Sequence, residues 1–200
     1  MRPVNTMRKP EETPRYSTEE ISKELKRVRY RSGYRWALRS TIYTLLIAAA
    51  LAVLVATLWM PVLRIYGNSM TPTLENGEIV VSVKDGEFKA GEICALYYNN
   101  KLLVKRIIGC PGDWVNIDRD GNVYINGELL DEPYVKDKAL GDCTVEMPFQ
   151  VPEERYFVMG DDRAISLDSR NAAIGAVSVD QIVGRILYRV WPINKLGEVH

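Results

Sequence analysis

Trp114-Val-Asn-Ile-Asp-Arg-Asp-Gly-Asn-Val-Tyr-Ile-Asn-Gly127 is the stretch of sequence that decides the fold class. Its runs Trp114–Ile117 and Val123–Ile125 are rich in residues that favour strands. Asp120-Gly121 separates the runs, and Asn126-Gly127 follows the second one. Both dipeptides accept the positive φ angles that type I′ turns require. The stretch therefore predicts consecutive antiparallel hairpins.

The same alternation of β-rich runs and turn residues extends outward over residues 64–200. Turns are indicated at Lys84-Asp85-Gly86, at Asn99-Asn100 and at Gly109-Cys110-Pro111-Gly112, and helical periodicity is scarce. Residues 64–200 are therefore predicted to form one mostly β domain of antiparallel strands with Greek-key or barrel-like closure. The further predicted strands are Glu78–Val83, Glu92–Tyr98, Leu102–Ile108, Tyr156–Met159 and Ile182–Trp191.

An uncharged segment, residues 40–63, precedes this domain. As a helix, its 24 residues would span roughly 36 Å, enough to cross a hydrocarbon core of about 30 Å. The apolar region of a cleaved secretory signal is shorter, and a buried core helix rarely lacks charge for this length. The segment is therefore predicted to be a single, uncleaved transmembrane signal-anchor helix.

Basic residues are concentrated on one side of this segment. Residues 1–39 carry eleven Lys and Arg against five Glu, whereas Arg64 alone follows the segment at once. The positive-inside rule makes residues 1–39 a cytoplasmic basic tail and places residues 64–200 outside the cell. Residues 1–16 are predicted to be disordered. Ser17-Thr18-Glu19-Glu20 matches a capping box, which leaves open a short basic helix on anionic lipid or a solvated juxtamembrane stretch.

The composition argues against several kinds of site. The formal net charge is zero, so no nucleic acid partner is indicated. The single histidine is His200 and no Cys-x-x-Cys pair exists, so no metal site is predicted. The three cysteines are interpreted as structural, with a Cys110–Cys143 disulfide left open.

Nucleophilic chemistry in this chain would have to use a Ser-Lys pair, because a terminal histidine is a poor general base. A lysine is a base only when it is neutral, which requires burial among apolar neighbours. Lys105, in Leu102-Leu-Val-Lys-Arg-Ile-Ile108, has the most apolar context of any lysine outside the apolar segment. Strand alternation places Lys105 and Arg106 on opposite faces, so Arg106 can reach a carboxylate elsewhere.

Two other segments carry suitable groups. Tyr66-Gly-Asn-Ser-Met-Thr-Pro-Thr-Leu74 can present the Ser69 hydroxyl and its N–H to one point, as an oxyanion hole requires. Gly160–Arg170 holds three Asp, two Arg and two Ser in eleven positions. Each feature alone has a simpler interpretation: a solvated strand lysine, a linker turn with a chance serine, and a polar loop with internal ion pairs.

Taken together, the three segments resemble the bacterial type I signal peptidases, which are Ser-Lys serine proteases. The family patterns are Ser-Met-x-Pro-Thr-Leu, Lys-Arg-x-x-Gly-x-Pro-Gly-Asp, and Gly-Asp-Asn-Arg followed by Ser-x-Asp-Ser-Arg. The matching segments are Ser69–Leu74, Lys105–Asp113 and Gly160–Arg170. They follow the predicted anchor in the family's order, and the resemblance covers residues 40–193.

The resemblance implies a role for each matching residue. Ser69 would be the nucleophile and an oxyanion donor through its N–H, Lys105 the general base, and Ser166 the hydroxyl that orients the lysine. The positions that would hold the active-site frame together are Asp161, Asp168 and Arg170.

The resemblance also implies the substrate and the location. Signal peptides of exported preproteins would add as a strand in a groove between two strands, with small apolar pockets for Ala-like side chains. The plasma membrane would hold the chain, with the lipid bilayer as a partner, the secretion machinery as a further candidate partner, and no cofactor. The positions that match the pocket walls are Ile65, Met70, Leu74, Leu103 and Val104.

Two positions depart from the family patterns. Asp162 stands where Asn is usual, and its carboxylate could pair with a neighbouring arginine or raise the pKa of the lysine. Gly67 stands where Gram-negative members have a second oxyanion hydroxyl, which makes the chain look like Gram-positive members. The alternatives are a self-cleaving repressor relative with a Ser-Lys pair and an inactive, membrane-tethered peptide-binding module.

Overall fold

A computed structural model describes residues 17–84 and 86–200. The predictions for residues 1–16, and the middle residue of the turn predicted at 84–86, lie outside the described residues. The described chain contains one long α-helix, α1 (Thr18–Trp59), followed by a mostly β region. Residues up to 53 form one compact unit and residues 54–200 form another.

Helix α1 begins at the predicted capping box. Ser17 Oγ accepts a hydrogen bond from the Glu19 N–H at 3.2 Å, and the Ser17 N–H donates to the Glu20 carboxylate at 3.1 Å. The helix runs unbroken across residues 39 and 40 and ends at Trp59, close to Pro61, which lacks an N–H donor. The helix therefore ends inside the predicted segment 40–63, and the last two residues of that segment belong to a strand.

The length and composition of α1 suit a membrane span over Tyr34–Leu58, which is 25 residues long. This span begins six residues before the predicted one, since aromatic and basic residues at its start share the same helix.

Twelve strands lie within the described residues. They are β1 (Val62–Arg64), β2 (Ile79–Val83), β3 (Ile93–Tyr98), β4 (Lys101–Gly109), β5 (Trp114–Ile117), β6 (Val123–Ile125), β7 (Glu128–Leu129), β8 (Phe149–Gln150), β9 (Arg155–Met159), β10 (Val177–Ser178), β11 (Ile182–Trp191) and β12 (Gly197–Glu198). Every predicted strand is present, within two residues of its predicted ends. The additional strands β1, β7, β8, β10 and β12 have two or three residues each, too few to show a periodicity in sequence.

The strands form two antiparallel sheets. The larger follows the order β1-β2-β11-β3-β4-β9-β10, with β12 beside β11, and the smaller follows β7-β6-β5-β8. Leu63 of β1 and Val104 of β4 pack on one core cluster although three strands separate β1 from β4 in the sheet. The larger sheet therefore curls on itself, and β11 crosses over to lie between β2 and β3. The predicted mostly β, barrel-like architecture is confirmed.

The predicted hairpins of residues 114–127 are confirmed in part. Asn126 and Gly127 have φ of 53° and 88°, so the type I′ turn between β6 and β7 is confirmed. The type I′ turn predicted at Asp120-Gly121 is wrong, because only Gly121 has a positive φ there. The Asp118 carboxylate accepts hydrogen bonds from the N–H groups of Asp120 and Asn122, at 3.0 and 2.8 Å. These bonds stabilise a longer loop than a two-residue turn.

The three cysteines Cys94, Cys110 and Cys143 are free thiols, so the disulfide that the sequence left open is not formed. Burial raises the pKa of the Cys94 thiol to about 12, which keeps it protonated.

Candidate active site

Strand β4 carries two neighbouring cations on its opposite faces. Lys105 and Arg106 are only 3% and 2% exposed. Their β3 partners across the ladder are Cys94 and Ile93. The alternation predicted from the sequence is thus confirmed, but both faces of the strand are covered at this point. Both side chains are shielded from solvent, so the groups around each one determine its chemical properties.

The Lys105 ammonium contacts two serine hydroxyls. Lys105 Nζ lies 2.8 Å from Ser69 Oγ and 2.9 Å from Ser166 Oγ. Ser69 belongs to the turns between β1 and β2, and Ser166 to the loop between β9 and β10. Ser69 and Ser166, which lie 36 and 61 residues from Lys105 in the sequence, therefore meet at one amine.

Burial is the largest influence on the Lys105 amine. It lowers the pKa of Lys105 from 10.5 to about 8, against the opposing charges of Asp168 and Asp161, while the Arg170 cation lowers the pKa further. A neutral amine is therefore well populated just above neutral pH. The neutral form has a lone pair that can accept the proton of a neighbouring hydroxyl.

Gly160 closes the site from behind. A Cβ atom at Gly160 would lie 2.3 Å from Ser166 Oγ and 2.4 Å from the Ser69 carbonyl oxygen. The Asp162 N–H donates to that carbonyl at 3.1 Å, and the Ser166 N–H donates to the Asp162 carbonyl at 3.1 Å. Only a residue without a side chain fits at 160, so the glycine sets the spacing between the two serines.

Three buried arginine–carboxylate pairs surround this centre, and we call them the arginine frame. Each side chain in the frame is at most 2% exposed. Such pairs satisfy the guanidinium and carboxylate groups in two-bond geometry and keep the loops that carry them in register. The pairs are Arg106–Asp161, Arg163–Glu132 and Arg170–Asp168.

Two of the frame carboxylates, Asp161 and Asp168, each accept hydrogen bonds from several donors. Asp161 accepts from Arg106 Nε and Nη2 at 2.9 and 2.8 Å, and from Thr73 Oγ1 at 2.5 Å. Asp168 accepts from Arg170 Nε and Nη2 at 2.8 and 2.9 Å, and from the Gly160 N–H at 3.0 Å. Burial by itself would raise the pKa of Asp168, but its donors together hold that pKa below the usual value.

The predicted pocket-wall residues divide between two core clusters. Four of them pack into the cluster that lines the inside of the curled sheet, whereas Leu103 packs against the cluster on the Lys105 face of β4. The four are Ile65, Met70, Leu74 and Val104.

Two strand edges near Ser69 have no strand partner among the described residues. Strand β1 pairs with β2 alone. Residues 101–105 of β4 pair with β3 on one side, while β9 covers only the part of β4 that begins at Arg106. Each edge has N–H and C=O groups that can bind an extended peptide.

Sequence reasoning missed several residues of the site. Gly160 was part of a matched pattern, but its close contact with the serines was not foreseen. Glu132 and Tyr134 lie in a loop without periodicity, where polar residues are expected to be solvated. Arg163 pairs with Glu132, and Asp168 and Asp161 are the carboxylates that act most strongly on Lys105. Asp162 is therefore neither the partner of Arg163 in this pair nor one of the two carboxylates that act most strongly on the pKa of Lys105.

No group of three or more His, Cys, Asp or Glu side chains within residues 17–84 and 86–200 is arranged to hold a metal ion. The chemical groups of the site are the amine, the two hydroxyls and the frame.

Comparison with known proteins gives a consistent result. The profile of the family described as signal peptidase, peptidase S26, matches residues 38–191. A signal peptidase I S from Bacillus subtilis (strain 168) is 40% identical over 168 residues, which cover 78% of this chain and 90% of the relative. A signal peptidase IB from Staphylococcus aureus (strain COL) is 38% identical over 151 residues, which cover 66% of this chain and 78% of the relative.

One solved structure also aligns with the chain. It is the crystal structure of a signal peptidase I from Enterococcus faecalis V583, with 32% sequence identity and a TM-score of 0.41, over 50% of this chain and 96% of that chain. The sequence matches, and not an alignment at this TM-score, decide the family.

Proposed function

Since the chain belongs to the signal peptidase family, peptidase S26, and is therefore a serine endopeptidase of the kind that removes signal peptides, we propose that Ser69 is its nucleophile and Lys105 its general base. The observation that carries this proposal is the 2.8 Å contact between Lys105 Nζ and Ser69 Oγ at an amine that is 3% exposed. A buried amine without a carboxylate hydrogen-bond partner is suited to accept a hydroxyl proton.

In the first step, neutral Lys105 takes the Ser69 proton while Ser69 Oγ attacks the scissile carbonyl carbon. The tetrahedral intermediate then loses the amine of the mature protein, which leaves with the proton that Lys105 returns. The C–N bond is broken, and an ester joins Ser69 to the signal peptide. Ser166 contacts the same amine at 2.9 Å and orients its lone pair towards Ser69.

In the second step, Lys105 takes a proton from a water molecule that attacks the ester carbonyl. The ester bond breaks, Ser69 Oγ regains a proton from Lys105, and the signal peptide leaves with a free carboxylate. The Ser69 N–H is the proposed donor to the oxyanion in both steps, since it lies on the same residue as the attacking oxygen. Gly67 cannot add a side-chain hydroxyl as a second donor.

The proposed substrate groove lies between β1 and residues 101–105 of β4. Both edges can hydrogen-bond to an extended signal peptide, which would add a strand next to the nucleophile. Bulky wall residues leave room only for small side chains before the cut. The proposed wall residues are Ile65, Met70, Leu74, Leu103 and Val104.

The proposed location is the plasma membrane, with the helix within residues 40–63 as the single anchor. Its support is the apolar span in α1 and the excess of basic residues in 1–39. The tail 1–39 would lie in the cytoplasm, and residues 64–200 would act outside on exported preproteins. The bilayer and the secretion machinery are the proposed partners. Protease protection of residues 64–200, but not of the tail, in sealed inside-out vesicles tests the orientation.

Cleavage of a radiolabelled preprotein by the detergent-solubilised full chain tests the dyad. We expect a mature-sized product from wild type, and none from Ser69→Ala or Lys105→Ala. Ser22→Ala and Lys89→Ala, which change exposed residues of the same types, should cleave like wild type. Cleavage by Lys105→Ala would place the base elsewhere, and an inert wild type would favour the peptide-binding module.

A further inference from the structure

Residues 131–141, which we call the strap, lie in the connection between β7 and β8, the two edge strands of the smaller sheet, and contact the arginine frame. The strap contacts all three frame arginines although it contains none of the dyad residues. Arg170 Nη1 donates to two strap carbonyls, those of Ala139 at 3.2 Å and Leu140 at 2.8 Å. The contacts with the other two arginines are made by side chains, and they lead to the reacting groups.

Glu132 is the first of these side chains. It is buried, and both of its carboxylate oxygens accept from the Arg163 guanidinium, Oε2 at 3.2 Å from Nη1 and Oε1 in a shorter contact to Nη2. An unpaired cation at this depth would be costly, so Glu132 is needed to keep Arg163 inside.

Arg163 connects Glu132 with the backbone next to the dyad. Arg163 Nε donates to the Gly160 carbonyl at 3.1 Å. Gly160 is the residue that has no room for a Cβ between Ser166 Oγ and the Ser69 carbonyl. A series of contacts therefore connects Glu132, through Arg163 and Gly160, with the Ser166 hydroxyl and with the backbone carbonyl of Ser69.

Tyr134 makes a parallel connection. Its ring lies 3.8 Å from the Arg106 Cζ atom, a cation–π contact, and its hydroxyl donates to Glu132 Oε1 at 3.3 Å. Arg106 in turn binds Asp161, the residue next to Gly160. The strap thus holds the turn at 160–162 through two independent arginines.

We propose that Glu132 and Tyr134 are positioning residues for the reaction, which hold the turn at 160–162 so that Ser69, Ser166 and Lys105 stay in register. The proposal rests on the proposed function of the dyad. It assigns the strap a catalytic consequence through Arg163 and Arg106, and no direct contact with the substrate.

Glu132→Gln is the decisive variant, with Glu128→Gln, an exposed glutamate just before the strap, as its control. We expect kcat of Glu132→Gln to fall by about tenfold or more while KM stays within about twofold, since misplacement affects the reacting atoms and not the groove. Glu128→Gln should match wild type in both constants.

The pH dependence of kcat/KM separates positioning from the loss of a charge. If the turn at 160–162 loosens and water reaches Lys105, the inflection assigned to the amine moves upward, towards 10.5. Removal of a negative charge alone would move it downward, and a uniform loss of folded protein would leave it in place. An unmoved or lowered inflection, or an unchanged kcat, would overturn the proposal.

A half-buried side chain offers a second test in case Glu132→Gln does not fold. Tyr134→Phe keeps the ring over Arg106 and should retain most of kcat, whereas Tyr134→Leu removes the cation–π contact and should lower kcat severalfold with the same upward inflection. Equal kcat values and equal inflections in the two variants would contradict the role of Tyr134. Ser69→Ala in the same series tests the dyad separately, because its activity does not depend on whether the strap positions anything.

Discussion

The two faces of strand β4 each hold a buried basic side chain, but the groups that bind it differ. On one face, Lys105 contacts the neutral hydroxyls of Ser69 and Ser166. On the other, Arg106 donates to both oxygens of Asp161 and to the Gly91 carbonyl, and its guanidinium lies against the Tyr134 ring. The two residues are adjacent and about equally buried.

This difference shows how two cations with the same burial can differ in their ability to lose a proton. Burial makes the Lys105 amine easier to deprotonate and lowers its pKa to about 8, and within residues 17–84 and 86–200 no carboxylate hydrogen-bonds to it. Arginine stays charged at any accessible pH, so the same burial requires the Asp161 partner. In the proposed mechanism the first site provides the base, whereas the second fixes the loop that carries Asp161.

Exchange of the cation type on the Lys105 face should have the largest effect. Lys105→Arg keeps a long basic side chain but cannot give a neutral base, so we expect cleavage to fall by at least about 10³-fold. Single-turnover cleavage of a preprotein in detergent measures the effect. Lys89→Arg, at an exposed position, should be unaffected, and substantial activity in Lys105→Arg would argue against proton transfer by this residue.

Removal of the cation on the other face should cost stability. Arg106→Met leaves Asp161 buried without its partner, and we expect the free energy of unfolding to fall by about 3 to 5 kcal/mol. Chemical denaturation of the full chain in detergent, followed by tryptophan fluorescence, measures the loss.

A second change can restore part of this stability. Arg106→Met with Asp161→Leu removes both charges and should be more stable than Arg106→Met alone, since no buried carboxylate is left unpaired. Arg119→Met, at an exposed arginine, serves as the control. Equal stability of Arg106→Met and Arg119→Met would show that the Arg106–Asp161 pair contributes little.

The difference in protonation should also appear in the pH profile. If neutral Lys105 is the base, log(kcat/KM) should rise with a slope of about one below the pKa and level off above it, with an inflection near 8. Between pH 6 and pH 8 the value of kcat/KM should therefore increase by about 50-fold. A profile that is flat over this interval would contradict the assignment of the base.

How much of this could be read from the sequence depends on how local each feature is. Strands such as β4 and β11 were predicted because their apolar content and flanking turns lie within a few residues. The Asp120-Gly121 turn was predicted wrongly because the Asp118 side chain competes for the backbone N–H groups, a contact that a dipeptide rule does not include.

The site divides in the same way. Patterns around Ser69 and Lys105 pointed to the family, and the sequence comparisons confirmed it. Their roles stay predictions that the 2.8 Å contact supports. Glu132 could not be selected, because a glutamate in a loop is solvated in most proteins and only the tertiary contact with Arg163 buries it.

A smaller effect is expected from a methyl group behind the dyad. Gly160→Ala would place Cβ within 2.4 Å of the Ser69 carbonyl, which is backbone and cannot rotate away. The turn must therefore shift, and we expect kcat to fall by about 10- to 100-fold with little change in KM. Gly197→Ala, where nothing lies within 4 Å of the added atom, should leave kcat unchanged. An active Gly160→Ala enzyme would show that the serine spacing tolerates adjustment.

The smallest expected effect has the opposite sign, because the Lys105 face is arranged for reactivity at the expense of stability. The folded-state pKa is about 8, below the ordinary 10.5 that applies to the unfolded chain. Below pH 8 both states hold the proton, and burial of the cation lowers the free energy of unfolding by about 3 kcal/mol. Between pH 8 and 10.5 the folded state binds fewer protons than the unfolded state, so stability rises with pH and the penalty disappears.

Lys105→Met removes this charge but also two hydrogen bonds, each worth about 1 kcal/mol. At pH 7 we therefore expect the inactive variant to be more stable than wild type by about 1 kcal/mol, and the difference to shrink and reverse as the pH rises towards 10.5. Parallel denaturation curves of the two proteins at pH 7, 8.5 and 10 measure it, and other titrating groups cancel in the difference. Arg106→Met should show no such pH-dependent gain in stability, because the arginine that it removes is paired with Asp161. An Arg106→Met variant more stable than wild type at pH 7, or a Lys105→Met variant less stable than wild type, would contradict the difference between the two faces.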